Sequence, residues 1–133
     1  MSDLGNIPEG LLYTKEHEWV KIEDSIAIVG ITDYAQHALT DVVFVELPKL
    51  AKQVQQLKPL CVVESVKSVS DVFSPLSGEV SQVNESLSDS PEIINQDPYE
   101  NGWIAKLKIL DESESKNLMS ASQYRKYLEG MHH

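Results

Sequence analysis

Few side chains in this 133-residue chain could do chemistry by type and spacing. Glu16-His17-Glu18 offers two carboxylates and an imidazole, a possible base or ligand set. It is not the H-E-x-x-H pattern that places two imidazoles on one helix face. In a strand, alternation sends Glu16 and Glu18 to one face and His17 to the other. The remaining histidines are His37 and the terminal His132-His133, so further metal ligands have no obvious source. Cys61 lies in the apolar run Leu60-Cys61-Val62-Val63, with no basic residue nearer than Lys58. That setting favours an inert thiol over a thiolate. There is no G-x-S-x-G elbow and no phosphate-cradling glycine loop. No self-contained catalytic set or metal site emerges, and the chain is not expected to be an enzyme.

Lys67 stands in a more distinctive setting, Glu64-Ser65-Val66-Lys67-Ser68-Val69-Ser70-Asp71. Strand-forming residues lie on both sides, and Ser74-Pro75 with Gly78 marks the next turn. Flanking strands would fix the backbone while the turn projects the amine outward, within reach of another protein's active site. Glu64 and Asp71 favour the charged amine and give the tip negative character. A surface lysine remains the plain alternative, because type alone does not separate Lys67 from the other basic residues.

The elements that must hold this tip read as many short strands. Extended segments open at Leu11-Leu12-Tyr13 and continue through Glu18-Trp19-Val20, turning at Asp24-Ser25. Ile26 to Ile31 is a buried strand. Thr32 or Asp33 caps a short helix through Leu39. Asp41 to Leu47 alternates as a strand, with Val43, Val45 and Leu47 on one face and Val42, Phe44 and Glu46 on the other. Residues 49–58 leave a loop and a short helical turn both open. Strands follow over 60–65, 70–73 and 79–83, and Gly102 to Ile109 is the closing strand. Ser90-Pro91 starts a short helix. Ser120-x-x-Gln123 is a capping box opening a helix over 121–128. Strands at roughly ten-residue spacing predict a mainly β sandwich or barrel with short peripheral helices. One domain is expected over 1–133, with its core at about 11–128. Residues 129–133 are expected to trail beyond the fold or to be a cloning remnant.

Composition narrows the partners. Eleven basic against twenty-one acidic residues give a formal charge of −10. This disfavours nucleic acid and anionic membranes and favours basic docking surfaces. The first residues lack the pattern of a signal peptide, and no apolar run is long enough to span a bilayer. A single cysteine builds no intrachain disulfide.

The stretch from Glu64 through Ser68, followed by Ser70-Asp71 and Ser74-Pro75-Leu76-Ser77-Gly78-Glu79-Val80, closely resembles the lipoyl-attachment region of the H-protein family of the glycine cleavage system. The resemblance continues in order through His17-Glu18-Trp19-Val20, Gly30-Ile31-Thr32-Asp33-Tyr34-Ala35-Gln36, Val43-Phe44-Val45-Glu46-Leu47-Pro48, Asn84-Glu85, Ile94-Asn95 and Asp97-Pro98-Tyr99-x-x-Gly102-Trp103. It implies a lipoyl/biotinyl-type sandwich-barrel, or barrel-sandwich hybrid, with lipoate in amide linkage on Lys67. Biotin carriers typically flank the lysine with methionines, and Val66 and Ser68 do not fit that.

The resemblance implies a non-catalytic carrier. Lipoyl-Lys67 would receive the aminomethyl group of glycine from glycine decarboxylase and pass it to aminomethyltransferase. Dihydrolipoamide dehydrogenase would then reoxidise it. A lipoyl-attaching enzyme would recognise Glu64, Ser65, Val66, Ser68 and Asp71 around the turn. Glu18 and Asp71, with Glu16 beside them, would line a cleft for the loaded arm. A monomer in bacterial cytoplasm, or a mature form in the mitochondrial matrix, fits the family. Two departures stand out: Thr40 occupies a usual glycine position, and residues 48–61 contain no glycine. That loop is expected to take a different path, which leaves open a diverged lipoyl or octanoyl relay, or a redox carrier for another enzyme set. An unmodified acidic interaction domain is the third class.

Overall fold

The computed structural model describes residues 4–131. Nine strands form two antiparallel sheets. The larger sheet has the order β1 (Leu12–Tyr13), β2 (Glu18–Glu23), β3 (Ile26–Ile31), β9 (Ala105–Ile109), β8 (Gly78–Val83), β5 (Gln53–Val54). The smaller has β4 (Val42–Glu46), β6 (Pro59–Ser65) and β7 (Val69–Phe73). Alternation along the strands supplies the core between the sheets. Val20, Val29 and Leu107 from the large sheet cluster with Val45, Val63 and Val72 from the small one. The result is the expected sandwich-barrel.

Short helices close its edges: α1 (Asp33–Leu39), α2 (Ser86–Asp89), α3 (Ile93–Gln96) and α4 (Ala121–Gly130), with a 3-10 turn at Glu112–Asn117. Thr32 caps α1 by accepting from the Ala35 N–H. Both halves of the Ser120/Gln123 capping box are present. No helix among the described residues is long and apolar enough to cross a membrane.

Four expectations need correction. The core begins before residue 11: Leu4 and Ile7 are buried against Tyr13, Trp19 and Tyr124. Side-chain and backbone bonds hold that segment, Asn6 N–H to Asp33 Oδ2 at 2.8 Å and Tyr99 Oη to the Asn6 carbonyl at 2.6 Å. The C-terminal helix runs to Gly130, because nothing from 121 onward breaks it sooner; His132 and His133 lie outside the described residues. Residues 53–54, within the open segment, form a strand beside β8. Finally, β4 does not alternate cleanly. A bulge between Val42 and Phe44 leaves Val42 and Val45 buried and turns both Val43 and Phe44 to solvent.

The glycine departures have a visible backbone consequence. Thr40 (φ 63°), Ala51 (φ 68°) and Leu57 (φ 66°) adopt left-handed conformations that favour glycine. Despite its lack of glycine, residues 48–58 are pinned by backbone bonds, Ala51 N–H to the Val80 carbonyl and Leu57 N–H to the Ser74 carbonyl.

Candidate functional site

Lys67 occupies the turn joining β6 to β7, and its side chain is exposed. Ser65 shapes that turn. Its buried hydroxyl accepts from the N–H groups of Lys67 at 3.1 Å and Ser68 at 3.0 Å. The Ser65 N–H donates to the Ser68 carbonyl, and Val66 N–H reaches back to Asp41. Of the residues expected around the attachment point, Ser65 therefore faces inward and organises the backbone. Val66, Ser68 and Asp71 are exposed, and Glu64 is half-buried.

The ammonium of Lys67 donates to the Ala38 carbonyl at 3.2 Å. That oxygen belongs to the last turn of α1, where carbonyls lack helical partners and a cation is favoured. Among the described residues the ion pairs are Lys21–Glu23 and His37–Asp33. Neither carboxylate flanking Lys67 is bound to it, so the amine is free to leave its resting contact.

A groove of about 210 Å³ opens beside it, between α1 and the β6–β7 hairpin. Ile31, Ala35, Leu39, Val63 and Val72 provide apolar walls, and Glu16, Glu18 and Asp71 provide carboxylates. Ala38, the resting partner of the lysine, lines it too. The three acidic residues expected to share a cleft are brought together. A larger concavity of about 510 Å³ near Leu57, Phe73 and Met119 is mostly apolar and contains no residue of the Lys67 turn.

His17 also lines the groove, contrary to strand alternation. Glu16 and His17 belong to the β1–β2 turn, and His17 has φ 74°, which breaks the alternation of faces. Its Nδ1 lies 2.9 Å from Tyr124 Oη, and that hydroxyl also contacts Thr32 Oγ1 at 2.8 Å. Burial pushes the imidazole below its ordinary pKa, so it is neutral at pH 7. The C-terminal helix thus braces the groove through one tyrosine.

Glu18 is almost fully buried, 1% exposed. One carboxylate oxygen accepts from the Thr14 hydroxyl and the other from the Phe73 N–H at 3.0 Å. It therefore ties the β1–β2 turn to the small sheet. Burial raises its pKa from 4.5 to about 7; the Thr14 and Phe73 bonds oppose the rise and Glu16 adds to it. Cys61 is buried in the core with its pKa pushed up to about 12, first by desolvation. It is an inert packing residue.

Lys67 thus lies exposed on a hydrogen-bonded β turn, beside a groove with carboxylates. Comparison with known proteins shows the family. Residues 11–131 match the family model described as glycine cleavage H-protein. The chain belongs to the glycine cleavage H-protein family. The glycine cleavage system H protein of Halothermothrix orenii is 51% identical, covering 93% of this chain and 97% of its own. The probable glycine cleavage system H protein of Pyrococcus furiosus is 59% identical, covering 92% of each. The crystal structure of a glycine cleavage system H protein from Mycobacterium marinum superposes with a TM-score of 0.82 at 38% identity. That match covers 90% of this chain and 97% of the other.

Reasoning from sequence did not place His17 and Ala38 in this groove, nor Thr14 and Phe73 as the hydrogen-bond partners of Glu18. Thr14 and Phe73 act through Glu18, and Ala38 acts through a backbone oxygen that carries no residue signature.

Proposed function

We propose that this protein carries lipoate on Lys67 and serves glycine cleavage as the mobile component between its enzymes. The observation that carries this reading is the exposed Nζ on a turn fixed by Ser65, resting at the mouth of a groove lined by Glu16, Glu18 and Asp71. The residues fit the group. The amine is accessible for amide formation, and the groove combines apolar walls with carboxylates. Bound there, lipoate would supply a ring disulfide on a long tether as the acceptor for the aminomethyl fragment of glycine.

Lys67 fixes the tether's root and, through the turn, its direction. Ile31, Val63 and Val72 offer an apolar wall that excludes water. Glu16, Glu18 and Asp71 would accept charge-assisted hydrogen bonds from a primary ammonium brought among them. A cation there would also draw the Glu18 proton off, because an adjacent positive charge favours the carboxylate. The chain needs no catalytic residue for this role. Tethering raises the local concentration of cargo at each enzyme in turn. By family, those enzymes are glycine decarboxylase, aminomethyltransferase and dihydrolipoamide dehydrogenase, with a separate enzyme to attach lipoate.

Intact-mass analysis of protein from its native source, followed by peptide mapping, tests the reading. One lipoyl group on the peptide containing Lys67 is expected, and glycine-dependent loading by glycine decarboxylase. An unmodified Lys67 in cells running glycine cleavage would refute it.

A further inference from the structure

The Tyr124 hydroxyl serves two partners at once, His17 Nδ1 at 2.9 Å and Thr32 Oγ1 at 2.8 Å. Proton counting fixes the direction of both bonds. Thr32 is fully buried, and its hydroxyl oxygen already accepts from the Ala35 N–H at 3.2 Å. Among the described residues, the acceptor for its own proton is Tyr124 Oη. The Tyr124 proton then goes to His17 Nδ1. The opposite direction would strand the Thr32 proton in the core without an acceptor. The imidazole is neutral at pH 7, so its single proton sits on Nε2. That nitrogen has no hydrogen-bond partner among the described residues.

His17 lines the groove and packs against Tyr34 of α1, with ring centroids 4.8 Å apart. Tyr34 lies one helical turn, about 6 Å along the axis, from Ala38, whose carbonyl holds Lys67 Nζ. The groove therefore runs from the root of the tether to an imidazole N–H.

We propose that His17 is a positioning residue for the sulfur end of the lipoyl arm, its Nε2–H donating to the sulfur that does not carry the aminomethyl group. The inference rests on the lipoate-carrier reading and deepens it. A loaded arm has two unlike ends. Its ammonium only donates hydrogen bonds, whereas its free thiol or thiolate sulfur accepts them. Glu16, Glu18 and Asp71 suit the first and repel a thiolate. Of the lining side chains that can donate, Ser70 lies toward the hairpin tip, and His17 lies at the end marked by the bond from Phe73 N–H to Glu18. An arm rooted at Nζ and laid along α1 carries its amide past the first and its sulfurs to the second. The Thr32–Tyr124 chain makes this donor permanent. With the other tautomer, Nε2 would present a lone pair and compete with the carboxylates for the ammonium.

The test follows the His17 ring by NMR in the full-length chain. In the unmodified protein, long-range proton–nitrogen correlations should place the proton on Nε2. Tyr124→Phe keeps the ring stacked 4.7 Å from Tyr13 and should let the Nδ1 tautomer appear. Lipoylated protein loaded with glycine and glycine decarboxylase should show an Nε2 proton that exchanges with water about fivefold more slowly than in the unmodified chain. His17→Phe keeps an aromatic ring at the left-handed position and removes the donor, and should shorten the lifetime of the load about fivefold. His17→Gln, which restores an N–H, should recover most of that loss. A wild-type proton on Nδ1 overturns the inference and leaves the carrier reading standing, as does a loaded protein whose Nε2 proton exchanges as in the unmodified chain. Equal shortening by His17→Phe and His17→Gln also overturns it and assigns His17 to packing alone. Absence of a lipoyl group from Lys67 in the native source overturns the carrier reading and this inference together.

Discussion

Replacing Glu18 by glutamine should reverse sign with pH. The carboxyl group is raised from 4.5 to about 7 in the folded protein, chiefly by burial. A raised carboxylate pKa means that the folded state binds the proton more tightly than the unfolded chain. Its contribution is therefore fully present below about pH 4.5 and is lost as pH climbs through about 7. Each pH unit in that window removes about 1.4 kcal/mol, so the whole interval costs about 3 kcal/mol. Glu18→Gln keeps the shape without the titration. Its carbonyl can still accept from Phe73 N–H. Its amide, however, meets a Thr14 hydroxyl that already accepts from Glu16 and Glu18 N–H at 3.2 Å each. One compromised hydrogen bond costs about 1 kcal/mol. The variant should thus be about 1 kcal/mol less stable than wild type at pH 4.5 and about 2 kcal/mol more stable at pH 8. Urea unfolding of both proteins across that range measures the difference, from which all other titrating groups cancel. A difference independent of pH would refute the reasoning: Glu18 would then be ionised in both states or wet in the folded one.

Other predictions follow from single contacts. Thr40 at φ 63° carries strain of about 1–3 kcal/mol, against about 0.5–1 kcal/mol of extra unfolded-chain entropy for glycine. Thr40→Gly should therefore stabilise by about 1 kcal/mol and raise Tm by about 3–4 °C, whereas Thr40→Ala, which keeps the strain, should not. Gly30→Ala would place a Cβ 2.7 Å from the Trp19 ring, itself fixed by Nε1 donating to the Pro98 carbonyl at 3.0 Å. A loss of about 2–3 kcal/mol is expected, read by urea unfolding with a shift in tryptophan emission. Lys67→Ser combined with Ser68→Lys moves the amine one position along the turn and should abolish lipoylation by mass; normal modification would show that the fixed pose is not needed.

Most strands and the Lys67 turn were legible because each depends on local pattern: valine-rich runs, Ser74-Pro75, and the glycine at 78; the order of strands within the sheets depends on long-range pairing and was not. The carboxylates of the groove were legible only through family motifs. Nothing in Glu16-His17-Glu18 announces a turn with His17 left-handed, since that conformation is set by pairing of β1 with β2 and by packing on α4. Glu18's burial was hidden for a related reason. A carboxylate is normally a surface group, and its partners Thr14 and Phe73 come from the β1–β2 turn and the small sheet, far apart in sequence. The β4 bulge was equally invisible, because alternation reads correctly until the partner strand imposes a shift. Thr40 is the opposite case. Its mismatch with the family's glycine marked a backbone requirement, and the structure places that residue where glycine would be unstrained.

The groove keeps a nearly buried carboxylate at a stability cost that grows above pH 5, where a nonpolar residue would be cheaper. A site that only needed packing would not retain it. A site that must receive an ammonium has reason to, because the same desolvation that raises the Glu18 pKa strengthens its attraction for a cation. Removing the charge from Glu18 should therefore spare acylation of Lys67 and weaken retention of a cationic load. Acylation rates and load lifetimes measured on Glu18→Gln and wild type check this, and an unchanged load lifetime in the variant would refute it.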